Sequence, residues 1–137
     1  MFAVKPLQDK ELQSELCTLL NTPYLANCFA HFAVDLNEDG TKIEAIIGIC
    51  QFSLGETAEI FTLVPFPGKE NDEAMIIMER AVMNFMWRSG SKSFVMKESA
   101  GPEELLKRSG LPKKDGTYFV DLDLFFKSPC SFNKNSI

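Results

Sequence analysis

The chain's 137 residues suit a single domain, a size that buries roughly two thirds of the surface its unfolded form would expose. Apolar residues make up 45% and charged residues 24%, and no run approaches the about 20 apolar residues that a bilayer crossing needs, so no membrane partner is expected. A net charge of -5 opposes the counterion release on which nucleic-acid binding relies, so nucleic acid is not expected as a partner either.

The start, Met1-Phe2-Ala3-Val4-Lys5-Pro6, has no basic segment followed by an apolar core and a cleavage site. No secretory signal is read there, and a cytoplasmic location is the expectation. Residues 2–7 predict a short strand. Asp9 can then cap a helix whose Leu12, Leu16, Leu19 and Leu20 share one face, with Asn21-Thr22-Pro23 ending it. From 27 to 36 the pattern alternates: Cys28, Ala30, Phe32, Val34 and Leu36 on one side, Asn27, His31 and Asp35 on the other. That is a half-buried strand. Asn37-Glu38-Asp39-Gly40 signals a turn into the β-rich run 42–54, and Gly55-Glu56 turns the chain again into 57–64. Three antiparallel strands in a meander follow from this.

Next comes the loop Pro65-Phe66-Pro67-Gly68-Lys69-Glu70-Asn71-Asp72, which leads from the strand into an amphipathic helix over 73–88. Ala74, Ile77, Met78, Ala81, Val82 and Phe85 fall at helical spacing along that helix, and Ser89-Gly90 closes it. A strand, a glycine-containing loop and a helix N-terminus present backbone N–H groups in the way that holds phosphate, although Glu70, Asp72 and Glu73 bring negative charge to the same place. The short apolar run 92–97 after the helix predicts a parallel crossover, which makes the sheet mixed. Pro102, Glu103, Glu104, Lys107, Arg108 and Gly110 mark a final short helix with favourable dipole chemistry. The alternation of Tyr118, Val120, Leu122, Leu124 and Phe126 predicts a last strand, and 128–137 reads as a loose polar tail.

This order of elements resembles the GNAT superfamily of acyl-CoA-dependent N-acetyltransferases over nearly the whole chain. Two local likenesses support it: Leu63-Val64 leading into Pro67-Gly68-Lys69, and Glu104-Leu105-Leu106-Lys107-Arg108-Ser109-Gly110-Leu111, which is similar to the family's helix ending in Lys-x-Gly-Phe. The resemblance implies an α/β fold with a mixed, mostly antiparallel sheet flanked by helices over residues 1–127. It also implies acetyl-CoA or another acyl-CoA as cofactor and a primary amine of a small molecule or peptide as acceptor. Its cofactor signature, Arg/Gln-x-x-Gly-x-Gly/Ala, aligns with Pro67, Glu70 and Asp72, so both glycine positions carry acids here. Leu63, Val64, Gly68, Lys69 and Asn71 are the residues implied to meet the cofactor. Leu106 stands where the family places a tyrosine that protonates the leaving thiolate, and Ser99 near the family's asparagine. Tyr24 and Tyr118 are the only phenols, and Tyr118 is the candidate acid. Glu59, on the strand entering the loop, matches the position of a general base.

Each candidate has a plainer reading beside it. Glu59 alternates with Ala58 and Ile60 as an exposed strand residue would, and Gly68-Lys69 fits a turn with Asn71 or Asp72 capping the helix. His31 reads as a solvated or hydrogen-bonded histidine, Met75, Met78, Met83 and Met86 as core filling, and Asp121 and Asp123 as a solvated strand face. Phe29, Phe119 and Phe125 fall on polar sides, and a second core layer, a homodimer interface and a substrate cleft all account for them. Cys17, Cys28, Cys50 and Cys130 are scattered without a C-x-x-C pair, so reduced thiols are expected and no metal site. Two functions fit: acetyl transfer to an amine, and a GNAT-shaped ligand-binding or protein-interaction module without CoA chemistry.

Overall fold

A computed structural model describes residues 1–127, so the expected tail at 128–137 lies outside the described residues. Seven strands form one sheet in the order β1-β2-β3-β4-β5-β7-β6. They span Phe2–Pro6 (β1), Phe29–Leu36 (β2), Ile43–Ser53 (β3), Thr57–Pro65 (β4), Ser93–Lys97 (β5), Lys113–Lys114 (β6) and Thr117–Asp121 (β7). All neighbouring pairs are antiparallel except β4 and β5, which run parallel. The helices are Lys10–Leu19 (α1), Asp72–Arg88 (α2), Glu103–Arg108 (α3) and Leu122–Lys127 (α4). Among the described residues no helix is long and apolar enough to cross a membrane.

Local chemistry sets most of these boundaries. The Asp9 carboxylate accepts the Leu12 N–H at 3.1 Å and opens α1, while the Asn71 side chain accepts the Ala74 N–H at 3.1 Å and opens α2. Asp115 and Gly116, at φ 53° and 78°, form the two-residue turn that folds Lys113–Lys114 back onto β7, adding a short edge strand where only a turn was expected.

The sheet is covered on both sides. Leu16 and Cys17 of α1 pack with Ala30, Phe32, Val34 and Ile49 on one face. The larger core lies on the other face, where α2 and α3 meet Cys50, Phe52, Ala58, Ile60, Leu63, Phe94 and Met96.

Two expectations need correction. The last strand stops at Asp121, and Leu122, Leu124 and Phe126 belong to α4. The alternation there was real, but the Asp121 carboxylate accepts the Leu124 N–H at 3.0 Å and nucleates a helical turn. Phe126 then stacks on Trp87 with ring centroids 5.2 Å apart, and Asp123 accepts the indole N–H at 2.9 Å, which holds its carboxyl below the usual range.

The buried arc of α2 is also wider and turned relative to the expected one. Met75, Glu79, Met83 and Met86 are inside, while Ile77 and Phe85 are 51% and 39% exposed. The sheet, α3 and α4 all contact α2, so one continuous arc of about half its circumference is buried in place of a narrow stripe. All four helix methionines named above as core filling are fully buried.

Candidate active site

The site begins with an irregularity in β4. Phe52 of β3 pairs with Ile60 and Gln51 pairs with Thr62, so Phe61 is an extra residue with no opposite number. A bulge of this kind bends the strand that carries it. β4 and β5 are in register from Thr57 with Ser93 to Ile60 with Met96, and their pairing stops at the bulge. Beyond it β5 ends at Lys97 while β4 runs on to Pro65, so the sheet is split there. Leu63 and Val64 line the β4 side of the split, and the turn Glu98–Ala100 with Gly101 enters it from the end of β5. Gly101 lies so close to Leu63 that a Cβ there would overlap the Leu63 carbonyl oxygen.

Glu59 precedes the bulge by two residues. Strand alternation turns it away from Ala58 and Ile60, which are buried beneath α2, and onto the opposite face of the sheet. Register places it beside Val95, and Val95 beside Phe119, in one row across β4, β5 and β7. Phe61 and Phe119 are 40% and 52% exposed, so this row forms the floor of an open, partly apolar face with one half-buried carboxylate in it.

The 22–28 segment forms a wall beside this face, and Gln51 fixes its position. The fully buried Gln51 amide donates to the Pro23 carbonyl and the Thr62 hydroxyl, both at 2.9 Å, and accepts from the Leu25 N–H at 3.0 Å and the Gln13 amide at 2.8 Å. Every donor and acceptor position of the side chain is thereby used. Cys28, at the end of the wall, is raised chiefly by burial, with Lys10 pulling it down and the Glu59 carboxylate adding a smaller push. A Gln51→Leu substitution leaves several of these partners unpaired. It should cost about 2 kcal/mol in urea denaturation and speed amide exchange at 22–27, whereas unchanged exchange there would contradict the anchoring role.

Tyr118 lies on the other face. It is 3% exposed and lines a cavity of about 360 Å³ with Glu98, Glu103, Leu106, Lys107 and Lys113. The sheet separates it from Glu59, so the two candidates are not brought into direct contact. Tyr118 does share its cavity with Leu106, the position that the resemblance matched to a family tyrosine.

The loop before α2 engages its own amides. Gly68, at φ 79°, donates its N–H to the Glu70 carboxylate at 3.2 Å, and Lys69 donates to the Phe66 carbonyl at 3.0 Å. A Cβ at Gly68 would meet nothing within 4 Å, so the space outside its Cα is open. Asp72 pairs with Arg108 of α3 at 3.0 Å, which offsets one of the loop acids. The Lys69 side chain lies along a groove with Leu16, Leu19, Phe66 and Pro67.

One residue that the pattern reading passed over is Glu79. Its carboxylate is fully buried under β3, bonded through one oxygen to the Arg80 guanidinium at 3.1 Å, and its other oxygen has no partner among the described residues. Burial raises it to about 7, against a smaller downward pull from Arg80. The signal available was a charge spaced with Met75, Met83 and Met86 on the arc that the sheet covers. Among the described residues no group of three or more His, Cys, Asp or Glu could hold a metal ion.

No protein-family model and no curated protein matches this sequence. Solved structures do match it in shape. One from Desulfovibrio desulfuricans assigned to the GNAT family superposes with a TM-score of 0.64 at 12% identity, covering 89% of this chain and 99% of that one. The ribosomal-protein-S18-alanine N-acetyltransferase of Escherichia coli gives 0.57 at 10% identity over 87% and 91%. A GNAT-family acetyltransferase of Staphylococcus aureus Mu50 gives 0.58 at 12% over 89% and 99%. At such low identity these likenesses speak for architecture alone, and together with the parallel pairing of β4 with β5 they establish that this chain adopts a GNAT-like fold.

Proposed function

We propose that the protein is an acyl-CoA-dependent N-acyltransferase, with acetyl-CoA as the first donor to test and a primary amine of a small molecule or peptide as acceptor. The observation that carries this reading is the end of the parallel β4–β5 pairing at the Phe61 bulge, with a carboxylate two residues before it on an open face of the sheet.

The loop residues fit a phosphate group on their own chemistry. The Gly68 amide already binds an anionic oxygen, supplied by Glu70, and the space outside the Gly68 Cα is open, while Lys69 adds a cation and Arg108 offsets Asp72. Gly68, Lys69 and Asn71 would hold the cofactor there once Glu70 gives way. When bound, the cofactor supplies a thioester acyl group. Leu63, whose backbone faces the β5 side while that of Val64 faces β3, offers a backbone N–H group at the split to polarise its carbonyl. Glu59 takes a proton from the attacking amine, directly or through water, as the new C–N bond forms. Tyr118, on the α3 side of the sheet, would be the proton donor to the departing thiolate, balancing the proton that Glu59 would take from the amine. The base and the acid thus act from opposite faces of the sheet.

Calorimetric titration with acetyl-CoA is the first test, and binding at micromolar to low millimolar donor is expected. Glu70→Ala should tighten that binding about threefold to tenfold, because it removes a competing anion from the Gly68 amide. Glu59→Gln should lower kcat by at least about tenfold with little change in donor affinity. Silence from both the wild type and Glu70→Ala at millimolar acetyl-CoA would remove the reading and leave the alternative, a binding module of the same fold.

A further inference from the structure

A second concavity lies at the far end of α2, about 20 Å along that helix from the loop. We infer that the cavity lined by Leu7, Lys10, Phe29, His31, Phe52 and Phe85 is a binding site for a small aromatic monocarboxylate. Its volume is about 650 Å³, within the range of small-molecule sites.

Four rings build it. Phe29 stacks on Phe52 with centroids 5.9 Å apart, His31 meets Phe52 edge-on at 5.2 Å and Phe85 at 5.6 Å, and Phe52 meets Phe85 at 5.9 Å. The rings come from β2, β3 and α2, so their mutual positions are set by the sheet and the helix, not by a loop. Phe52 is fully buried, but Phe29 and Phe85 remain 51% and 39% exposed. Apolar ring surface held rigid and left facing a concavity suits an aromatic body, which can stack or pack edge-on there.

Charge specifies the other end of the ligand. Lys10 lines the cavity, and its ammonium donates to the Gln13 side chain at 3.1 Å and to the Cys28 carbonyl. Both acceptors are neutral, and among the described residues Lys10 has no carboxylate within ion-pair distance. An ammonium carries three donors, so one N–H and the full charge are left for an anion. Burial holds the His31 ring below the usual imidazole range, which favours its neutral form, and its Nδ1 lies 3.1 Å from the Ala30 carbonyl, so Lys10 supplies the positive charge. An apolar cavity with one uncompensated cation in its lining selects a monoanion over a dianion, an amine or a neutral analogue.

Titration followed by ligand-observed NMR separates the outcomes, with phenylacetate and its neutral isostere phenylacetamide as probes. Phenylacetate should bind at millimolar or better and about tenfold more tightly than the amide. Lys10→Gln should erase that preference while leaving phenylacetamide unchanged. Phe85→Glu, at a half-exposed position, should abolish phenylacetate binding without lowering the melting temperature appreciably. Equal binding of the two probes, an unchanged preference in Lys10→Gln, or no binding of either at several millimolar would each overturn the inference. So would self-association in sedimentation that Phe85→Glu removes, since the cavity would then be filled by a second copy. Acetyl-CoA binding to the same variants reports on the other site and should be unaffected.

Discussion

Replacing Glu79 with Gln should change how stability depends on pH more than any other single substitution in this chain. Burial lifts the Glu79 carboxyl from 4.5 to about 7 in the folded protein. Below pH 4.5 both the folded and unfolded forms hold the proton, and the group contributes nothing to pH dependence. Between 4.5 and 7 the unfolded chain releases the proton while the folded one retains it, so stability falls as pH rises. Above 7 both are ionised and the whole penalty is present. A gap of about 2.5 pH units at ~1.4 kcal/mol per unit sums to about 3 kcal/mol. Gln has no such titration, and its carbonyl oxygen can still accept from Arg80. Urea denaturation of both proteins from pH 4 to 8 should therefore give curves that diverge by about 3 kcal/mol across that range, with the Gln form gaining toward pH 8. Parallel curves would mean that water or a neighbour satisfies the second Glu79 oxygen.

Gly101→Ala should destabilise the protein by about 2–3 kcal/mol through a steric conflict and not a conformational one. Gly101 has φ -166°, extended backbone open to any residue, yet its Cβ would overlap the Leu63 carbonyl oxygen. Leu63 is fully buried in β4 and cannot step aside, so the turn after β5 must back out of the split. Gly68→Ala is the matched control: it meets nothing within 4 Å, and its cost comes from φ 79° alone, about 1 kcal/mol. Because Gly101 sits at the split, its variant should also alter acetyl-CoA binding in the calorimetric titration. Equal stability for the two alanine variants would mean that the turn after β5 shifts freely and does not shape the split.

Much of the fold was legible because its signals are local. The Asp9 and Asn71 caps, the Asn37–Gly40 turn, the alternation along β2 and the Pro102–Gly110 helix signature each involve residues within a few positions of one another. The candidate site was legible in part. Glu59 could be placed on a strand and on the side opposite Ile60, but nothing in the spacing of 57–65 marks Phe61 as the bulged residue. That follows from which β3 residues face Ile60 and Thr62. Tyr118 could be assigned to a strand, but only the cross-sheet register assigns it to the face away from Glu59. The helical spacing of Ile77 and Phe85 was also read correctly as a stripe, but a period does not say which stripe the rest of the protein covers.

Sequence alone therefore determined the order of the elements apart from β6 and α4, much of their capping chemistry and their approximate boundaries, since caps, turns and hydrophobic periods are encoded in neighbouring residues. Tertiary structure decided where the β4–β5 pairing ends, which arc of α2 is buried, that one Glu79 oxygen has no partner among the described residues, and that four rings from three elements line a cavity with Lys10. These depend on strand register and on which surfaces cover one another. Both join residues far apart in the chain, and no local pattern records them.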